Sequence, residues 1–423
     1  MKARILIVGG GAMGTSIALH AASRCDPIKE PVILIEKGHL GAGSSGRSGG
    51  IVHQTYSSRE MAGMSRDALK AYATFEQSTG RSVGFRRTGV LLIAGSNHHS
   101  IHRLDQIIEI QKEVGIEVER LEADDIRQIC PGIEVEDGTI GAFEKAGGFV
   151  DPTRTIESLA AMARSRGATT RVGVANPRIL VEGGKAVGVE TSAGTFYAPQ
   201  IVVATGPWTG PLLGDLGVDL PLRIVRVQES FVEAPSPEQR SEEEAGLAPL
   251  PGSDAGQIDR DLLETRFHTV DPTDSMPVAH PVIVDFEHRF YARHQVARGQ
   301  TRVGRLGVSN LQELEHPDAL TQAVEDSFQS WAHESLAGRL PIYRDMKTAD
   351  SRASWISLTP DQIPIVGPVQ EIEGLFVVAG FSGNDFHLAP SIGEGMAQML
   401  LGQPVSAFST DFFSLERFKG QST

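Results

Sequence analysis

Apolar residues recur along the chain with two periods, and their alternation predicts the fold. Ile5-Leu6-Ile7-Val8 is a continuous apolar run of buried-strand type that stops at a glycine cluster. A helical pattern follows, with Ile17, Ala18, Ala21 and Ala22 on one face, and then a second apolar run, Val32-Ile33-Leu34-Ile35. Similar runs return at Ile201-Val202-Val203-Ala204 and Leu375-Phe376-Val377-Val378-Ala379. Runs without polar alternation suit a parallel sheet covered on both faces. Between them lie amphipathic helix faces: Met61, Met64, Ala68, Leu69, Tyr72 and Phe75; Ile101, Leu104, Ile107, Ile108 and Val114; Leu320, Val324, Phe328 and Trp331.

Local signals sharpen this picture. Asp151 suits an N-cap, Pro152 the first helical position and Gly167 the stop of a helix carrying Ile156, Leu159 and Met162. Short strands are expected at residues 87–94, 170–174, 178–181, 186–191 and 195–198, with Glu182-Gly183-Gly184 as a hairpin turn. Residues 288–293 and 300–304 read as paired strands. Near the C-terminus, residues 381–390 form a glycine turn feeding a helix, with Pro390 near its first position, Ile392, Met396, Met399 and Leu400 on its buried side, and Gly402 as its stop.

Gly9, Gly11 and Gly14 stand at the junction of the first strand and helix with G-x-G-x-x-G spacing. The first glycine permits the tight turn, the second lets backbone approach a pyrophosphate, and the third lets helix pack on strand. The helix N-terminus then offers unpaired N–H groups, including those near Ala12 and Met13, to phosphate oxygens. The second strand ends in Glu36, 22 residues past Gly14, where a carboxylate accepts from ribose hydroxyls and disfavours a 2′-phosphate. Residues 38–56 are rich in glycine and serine with neither period, which suggests backbone passing close to a ligand. Arg47 is a candidate there for a phosphate or a flavin carbonyl. His53 and Tyr56 are candidates for a substrate, with a structural role competing for each.

The 423 residues suffice for a large core and two interleaved domains. The net charge of −14 argues against nucleic acid or an anionic membrane surface as main partner. Cys25 and Cys130 form no metal-type or redox cluster, so no metal and a reducing, cytoplasmic compartment are expected. No apolar stretch is long enough to span a membrane. Residues 233–262 carry eight acidic residues against two arginines, with four prolines, and read as a solvated acidic loop.

Separated stretches agree on one family: residues 9–14 with Glu36, 43–50, Ala204-Thr205-Gly206-Pro207-Trp208, 359–367 and 381–390. With them the chain resembles the FAD-dependent amine and amino-acid oxidoreductases of the D-amino-acid oxidase superfamily, of the glycine oxidase and sarcosine oxidase β-subunit type. The resemblance implies an α/β fold (α+β overall). In it a Rossmann-like FAD-binding domain (residues 1–80, 147–220 and 355–423) carries an inserted antiparallel-sheet substrate domain (81–146 and 221–354). It implies cofactor contacts at Gly9, Gly11, Ala12, Met13, Gly14, Glu36, Lys37, Ser44, Ser45, Arg47, Ser48 and Gly49. Val174, Ala204, Thr205, Gly206, Trp208, Gly383, Asn384, Phe386, His387 and Leu388 complete the set.

Two departures from the family pattern matter. Relatives often read Ser-Gly-His-Gly-Phe-Lys where this chain reads Ser382-Gly383-Asn384-Asp385-Phe386-His387, so His387 replaces a lysine that holds the substrate carboxylate, and Asp385 adds negative charge. Ser354 stands where monomeric sarcosine oxidases carry a flavin-linked cysteine, which implies non-covalent FAD.

The implied chemistry is oxidation of the C–N bond of a small N-alkylated or D-amino acid, with Tyr291, Arg293, His53 and His387 as substrate-side candidates. A guanidinium grips a carboxylate bidentately, which favours Arg293. Two alternatives stay open. One is C–O oxidation of a 2-hydroxyacid or glycerol phosphate, with His53 or His387 as base. The other is a non-catalytic flavoprotein subunit of a hetero-oligomer. Oxygen, a quinone and an electron-transfer protein all remain candidate acceptors, and homo- or hetero-oligomers are both compatible.

Overall fold

The computed structural model describes residues 1–236, 279–309 and 311–419. Four of the apolar segments and one short polar strand assemble side by side. Leu375–Ala379, Gln200–Val203, Ile5–Val8, Val32–Ile35 and Thr169–Arg171 lie parallel in that spatial order, and Ile365–Pro368 adds an antiparallel edge. The first strand is thus central. Ile5, Leu6 and Ile7 have no exposure at all, because the helices Ala12–Ala22 and Asp385–Leu400 cover one face. The small sheet Arg178–Glu182, Lys185–Thr191 and Gly194–Tyr197 packs on the other.

The chain leaves the central strand to opposite sides. It pairs with Val32–Ile35 next in sequence and with Gln200–Val203 much later. Ligands of open α/β sheets bind in the crevice that such a reversal opens beyond the strand ends. Gly9–Gly11 and Ala204–Gly206 are the residues that follow those two strands.

A second sheet faces this crevice. Among the described residues it runs Gln312–Glu313, Arg223–Glu233, Gln300–Arg305, Phe290–Gln295, Val282–Asp285, Val90–Gly95, Ile140–Glu144, Glu119–Leu121, with Thr348–Leu358 also paired to Arg223–Glu233. Its pairings are antiparallel, as expected, except that Val282–Asp285 pairs with Val90–Gly95 in parallel. The outer face of this sheet is covered by the helix Asp326–Arg339 through Phe328, Ala332 and Leu336.

Several boundaries differ from the sequence pattern. Leu320 and Val324 precede the helix Asp326–Arg339 instead of lying on its face. Pro390 sits inside the helix Asp385–Leu400, whose first turn forms five residues earlier at Asn384-Asp385. Glu233 ends a strand, and residues 237–262 of the expected acidic loop lie outside the described residues. Asp151 caps its helix as expected, accepting the Arg154 N–H at 2.7 Å. No helix among the described residues is long and apolar enough to cross a membrane.

Candidate active site

A cavity of about 1300 Å³ runs between the two sheets, from Val174 at one end to His53, Tyr291 and the Gly383 turn at the other. One wall is mostly backbone. Gly9 holds φ +114°, and a Cβ there would collide with the Ala204 carbonyl, so the two strand ends approach closely only through glycine. A Cβ on Gly14 would overlap the Gly9 carbonyl, which is the close helix–strand packing its place in the fingerprint implies. Glu36 is fixed by two backbone donors, Gly10 N–H at 2.7 Å and Gly38 N–H at 2.8 Å, and faces the cavity at the end of the second strand.

The cavity also carries unanswered polar atoms. The hydroxyl oxygens of Ser44 and Ser357, both on the lining, are buried without a hydrogen-bond partner. A stack of cations and indoles flanks this region. Lys37 lies 3.6 Å from the Trp208 ring centroid, Trp208 meets Trp355 edge-on, and Arg47 lies 4.6 Å from the Trp355 centroid. Strand-end glycines, a ribose-height carboxylate, unpartnered hydroxyls and an elongated cavity together suit a dinucleotide.

The opposite wall is built from side chains. Tyr291 lies flat across Gly304, its neighbour on the adjacent strand, where any Cβ would strike the phenol ring. Its hydroxyl donates to Glu229 Oε1 at 2.5 Å. Burial first, and then the Glu229 charge, push the Tyr291 pKa well above the ordinary phenol value. Glu229 Oε2 also accepts from Arg302 at 2.5 Å and Arg352 at 3.1 Å. The same two arginines donate to the carbonyls of Arg47 and Ser48, which ties the glycine-rich loop to the second sheet.

Behind the Gly383 turn sits an aromatic cluster. His53 and His387 lie 4.1 Å apart between ring centroids, and Tyr56 Oη is 2.6 Å from His387 Nδ1. His387 also has a hydrogen bond to the Ile51 backbone. The Tyr56 hydroxyl also donates to Asn384 Oδ1 at 3.3 Å, so it bridges His387 and the turn. His53 Nδ1 takes the Thr55 N–H at 3.1 Å, so the neutral ring bears its proton on Nε2. Burial pushes the His53 pKa down to about 4, and burial together with His53 pushes His387 well below its ordinary value.

Sequence reasoning missed Glu144, which holds this cluster in place. It is fully buried on the second sheet and accepts from Gln54 N–H, Thr55 Oγ1 and Gln111 Nε2 at 2.7, 2.5 and 2.7 Å. Its signal was weak, because the loop it positions lies some ninety residues earlier in the chain.

Most residues singled out from sequence line the cavity: Gly9, Gly11, Met13, Glu36, Lys37, Ser44, Ser45, Arg47, Ser48, Gly49, His53, Val174, Ala204, Thr205, Gly206, Trp208, Tyr291, Gly383, Asn384, Phe386 and His387. Ala12, Gly14, Tyr56, Leu388 and Arg293 do not. Ala12 and Gly14 lie inside the helix that packs behind the loop, and Leu388 is fully buried in the core. Arg293 lies 3.9 Å from the Phe149 ring centroid and donates to the Val150 carbonyl, so its guanidinium is turned away from the cavity. Burial and the neighbouring Arg302 push its pKa down to about 9.

Fold and cavity therefore define a dinucleotide-binding protein of the two-sheet flavoenzyme class. The match to known proteins is more specific: the model of the FAD dependent oxidoreductase family covers residues 4–399, and the chain belongs to that family, whose cofactor is FAD. It is 26% identical over 438 residues to the 4-methylaminobutanoate oxidase (formaldehyde-forming) of Paenarthrobacter nicotinovorans, covering 99% of this chain and 46% of that protein. It is 22% identical over 400 residues to human peroxisomal sarcosine oxidase, covering 92% and 90%. The chain thus spans under half the length of the first of these relatives, and 43% of human mitochondrial dimethylglycine dehydrogenase. In fold it is similar to L-proline dehydrogenase from P. horikoshii, with a TM-score of 0.80 at 20% identity, covering 99% of this chain and 98% of that one. Glycine oxidase from Geobacillus kaustophilus gives 0.77 at 20% identity, covering 99% and 100%.

Proposed function

We propose that the protein oxidises the C–N bond of a small N-alkylated or D-amino acid, with FAD held non-covalently in the cavity. In this reading residues 1–80, 147–220 and 355–423 carry the cofactor, and residues 81–146 and 221–354 face the substrate. The residues that would hold FAD are Gly9, Gly11, Glu36, Ser44, Ser45, Ala204–Gly206 and the Gly383 turn. The non-covalent reading is supported by Ser354 on the lining and by Cys25 and Cys130, both buried and neither on the cavity wall. When bound, FAD would supply the acceptor for the hydride, one proton with two electrons, that leaves the substrate carbon.

One observation carries the choice of C–N over C–O chemistry. Both histidines facing the reacting end are poor proton acceptors: burial holds each below the ordinary imidazole value, and His53 Nδ1 already takes the Thr55 N–H. Oxidation of an alcohol needs a group to take the hydroxyl proton. An amine bound in its neutral form has no such proton to lose and needs only orientation. Tyr291 with Glu229, and the His53 Nε2–H, are the groups that orient it. Similarity to a 4-methylaminobutanoate oxidase and a sarcosine oxidase agrees with an N-methylated substrate. The likeness to sarcosine oxidase subunit beta of Arthrobacter, 23% identical over 426 residues, supports a hetero-oligomeric assembly as the partner arrangement to test.

The test is oxygen-free mixing of the FAD-loaded protein with sarcosine, dimethylglycine, 4-methylaminobutanoate, proline, D-alanine, lactate and glycerol 3-phosphate. Bleaching of the flavin by an amine and by neither C–O substrate is the expected result. Bleaching by lactate or glycerol 3-phosphate alone would overturn the proposal.

A further inference from the structure

Two helix N-termini meet at one hydroxyl. Ser45 Oγ takes the N–H of Ala12, the first residue of the helix Ala12–Ala22, at 3.2 Å, and donates to Asp385 Oδ2 at 3.2 Å. Asp385 opens the helix Asp385–Leu400. Helix N-termini aimed into a dinucleotide cavity ordinarily offer those N–H groups to the ligand's oxygens. Here a serine hydroxyl of the chain has taken one of them and gives its own proton to a carboxylate. Ser45 and Asp385 both line the cavity beside Gly9–Gly11. An ionised carboxylate is an acceptor only, whereas a carboxylic acid is also a donor. A ligand bringing phosphate charge and acceptor oxygens to these termini is therefore opposed by the first form and met by the second.

We propose that Asp385 is a cofactor ligand in its protonated form only, so that FAD binding takes up one proton onto Asp385, whose O–H then donates to a cofactor oxygen. The proposal rests on the FAD reading above. It also gives a reason for a carboxylate at a position where an added negative charge otherwise works against the site.

The surroundings leave this proton undecided by any neighbouring charge. From the 44–48 loop, Ser45 faces Asp385, while Arg47 is turned to Gln322 Oε1 and the Ala353 carbonyl. From the following segment and the helix Arg59–Thr79, Tyr56 and Tyr72 both feel the Asp385 charge, and burial keeps both phenols protonated. From its own helix, His387 is neutral, as is His53 stacked on it. No Lys or Arg is hydrogen-bonded to this carboxylate among the described residues. Burial pushes its pKa up to about 6, against the downward pull of the Phe386 N–H and Ser45. A bound cofactor raises it further. Affinity is thus full below about pH 6, falls by up to about tenfold per pH unit above it, and levels off at the bound-state pKa.

The test is FAD binding to flavin-free protein between pH 5.5 and 8.5, followed by flavin fluorescence. Calorimetry in buffers of different ionisation enthalpy counts the protons exchanged. The expected result is a dissociation constant rising towards tenfold per pH unit above pH 6.5, and nearly one proton taken up per FAD at pH 7.5. Asp385→Asn should bind with the low-pH affinity at every pH and exchange no proton. A flat pH dependence of the wild-type protein, or no proton uptake, would overturn the proposal whether or not the variant folds. Failure to bind FAD at any pH would overturn the cofactor reading beneath it.

Discussion

The two walls of the cavity are made of different material. The wall under Gly9–Gly11, Ala204–Gly206 and Gly383 presents backbone, and its shape follows from glycines at strand ends. The facing wall presents side chains, and its shape follows from charges that answer one another across the sheet: Glu229 with Arg302, Arg352 and Tyr291. The backbone wall tolerates little added volume at Gly9, whose neighbour is the Ala204 carbonyl, which cannot move aside. Side-chain walls tolerate a change of shape but not the loss of one member of a buried charge pair. In the function proposed above, cofactor recognition falls to the rigid wall and substrate choice to the adjustable one.

The largest expected effect comes from adding volume directly behind the backbone wall, where the first helix packs on Gly9. Gly14→Val should abolish FAD retention, because its Cβ overlaps the Gly9 carbonyl; the purified protein would be colourless and would show no flavin fluorescence change on titration. Removing one charge from the other wall should act on stability instead. Arg302→Met should destabilise the fold by about 3–5 kcal/mol in urea unfolding, since Arg302 is fully buried and Glu229 keeps only the half-exposed Arg352. If the variant remains folded, it should still bind FAD, which sharpens the division between the walls.

Smaller effects test the supports. Glu144→Ala strands the Gln111 amide, the Gln54 N–H and the Thr55 hydroxyl, at a cost of about 1–3 kcal/mol. It should also lower kcat on the best amine while FAD affinity is unchanged. Histidine burial sets a pH dependence of stability. The unfolded chain binds a proton at His53 below about pH 6.5, whereas the folded chain resists until about pH 4. Stability from this group is therefore present above pH 6.5 and is lost as pH falls, by up to about 1.4 kcal/mol per pH unit. His53→Gln should flatten that part of the curve in urea titrations at pH 4.5–7. Smallest of all, Asp151→Ala should cost about 1 kcal/mol as a lost N-cap, with both walls untouched.

The same contrast decides what was readable in the chain. The backbone wall is written locally: an apolar run, glycines and a helix pattern occupy neighbouring positions, so Gly9, Gly11, Glu36 and Gly383 could be singled out from spacing. The side-chain wall joins residues 229, 291, 302 and 352, which no periodicity connects. Tyr291 was found by its place on an expected strand, but its partner Glu229 and the loop-binding arginines were not. Arg293 was chosen for its chemistry, yet its strand turns it onto Phe149, two residues along from Tyr291 but held against the chain's Val150 carbonyl. Glu144 escaped because a buried acid on a strand carries no local mark. Pro390 misplaced a helix start because Asn384 and Asp385 already begin the turn, and the helix accommodates proline one turn further in.

The most direct measurement is a crystal structure of the FAD-loaded protein soaked with an unreactive N-methylated amino-acid analogue. The account predicts the dinucleotide along Gly9–Gly11 and Glu36, its ring system at the Gly383 turn, and the analogue's nitrogen facing Tyr291, Glu229 and His53. Ring density away from the Gly383 turn, or an analogue seated elsewhere in the cavity, would contradict it.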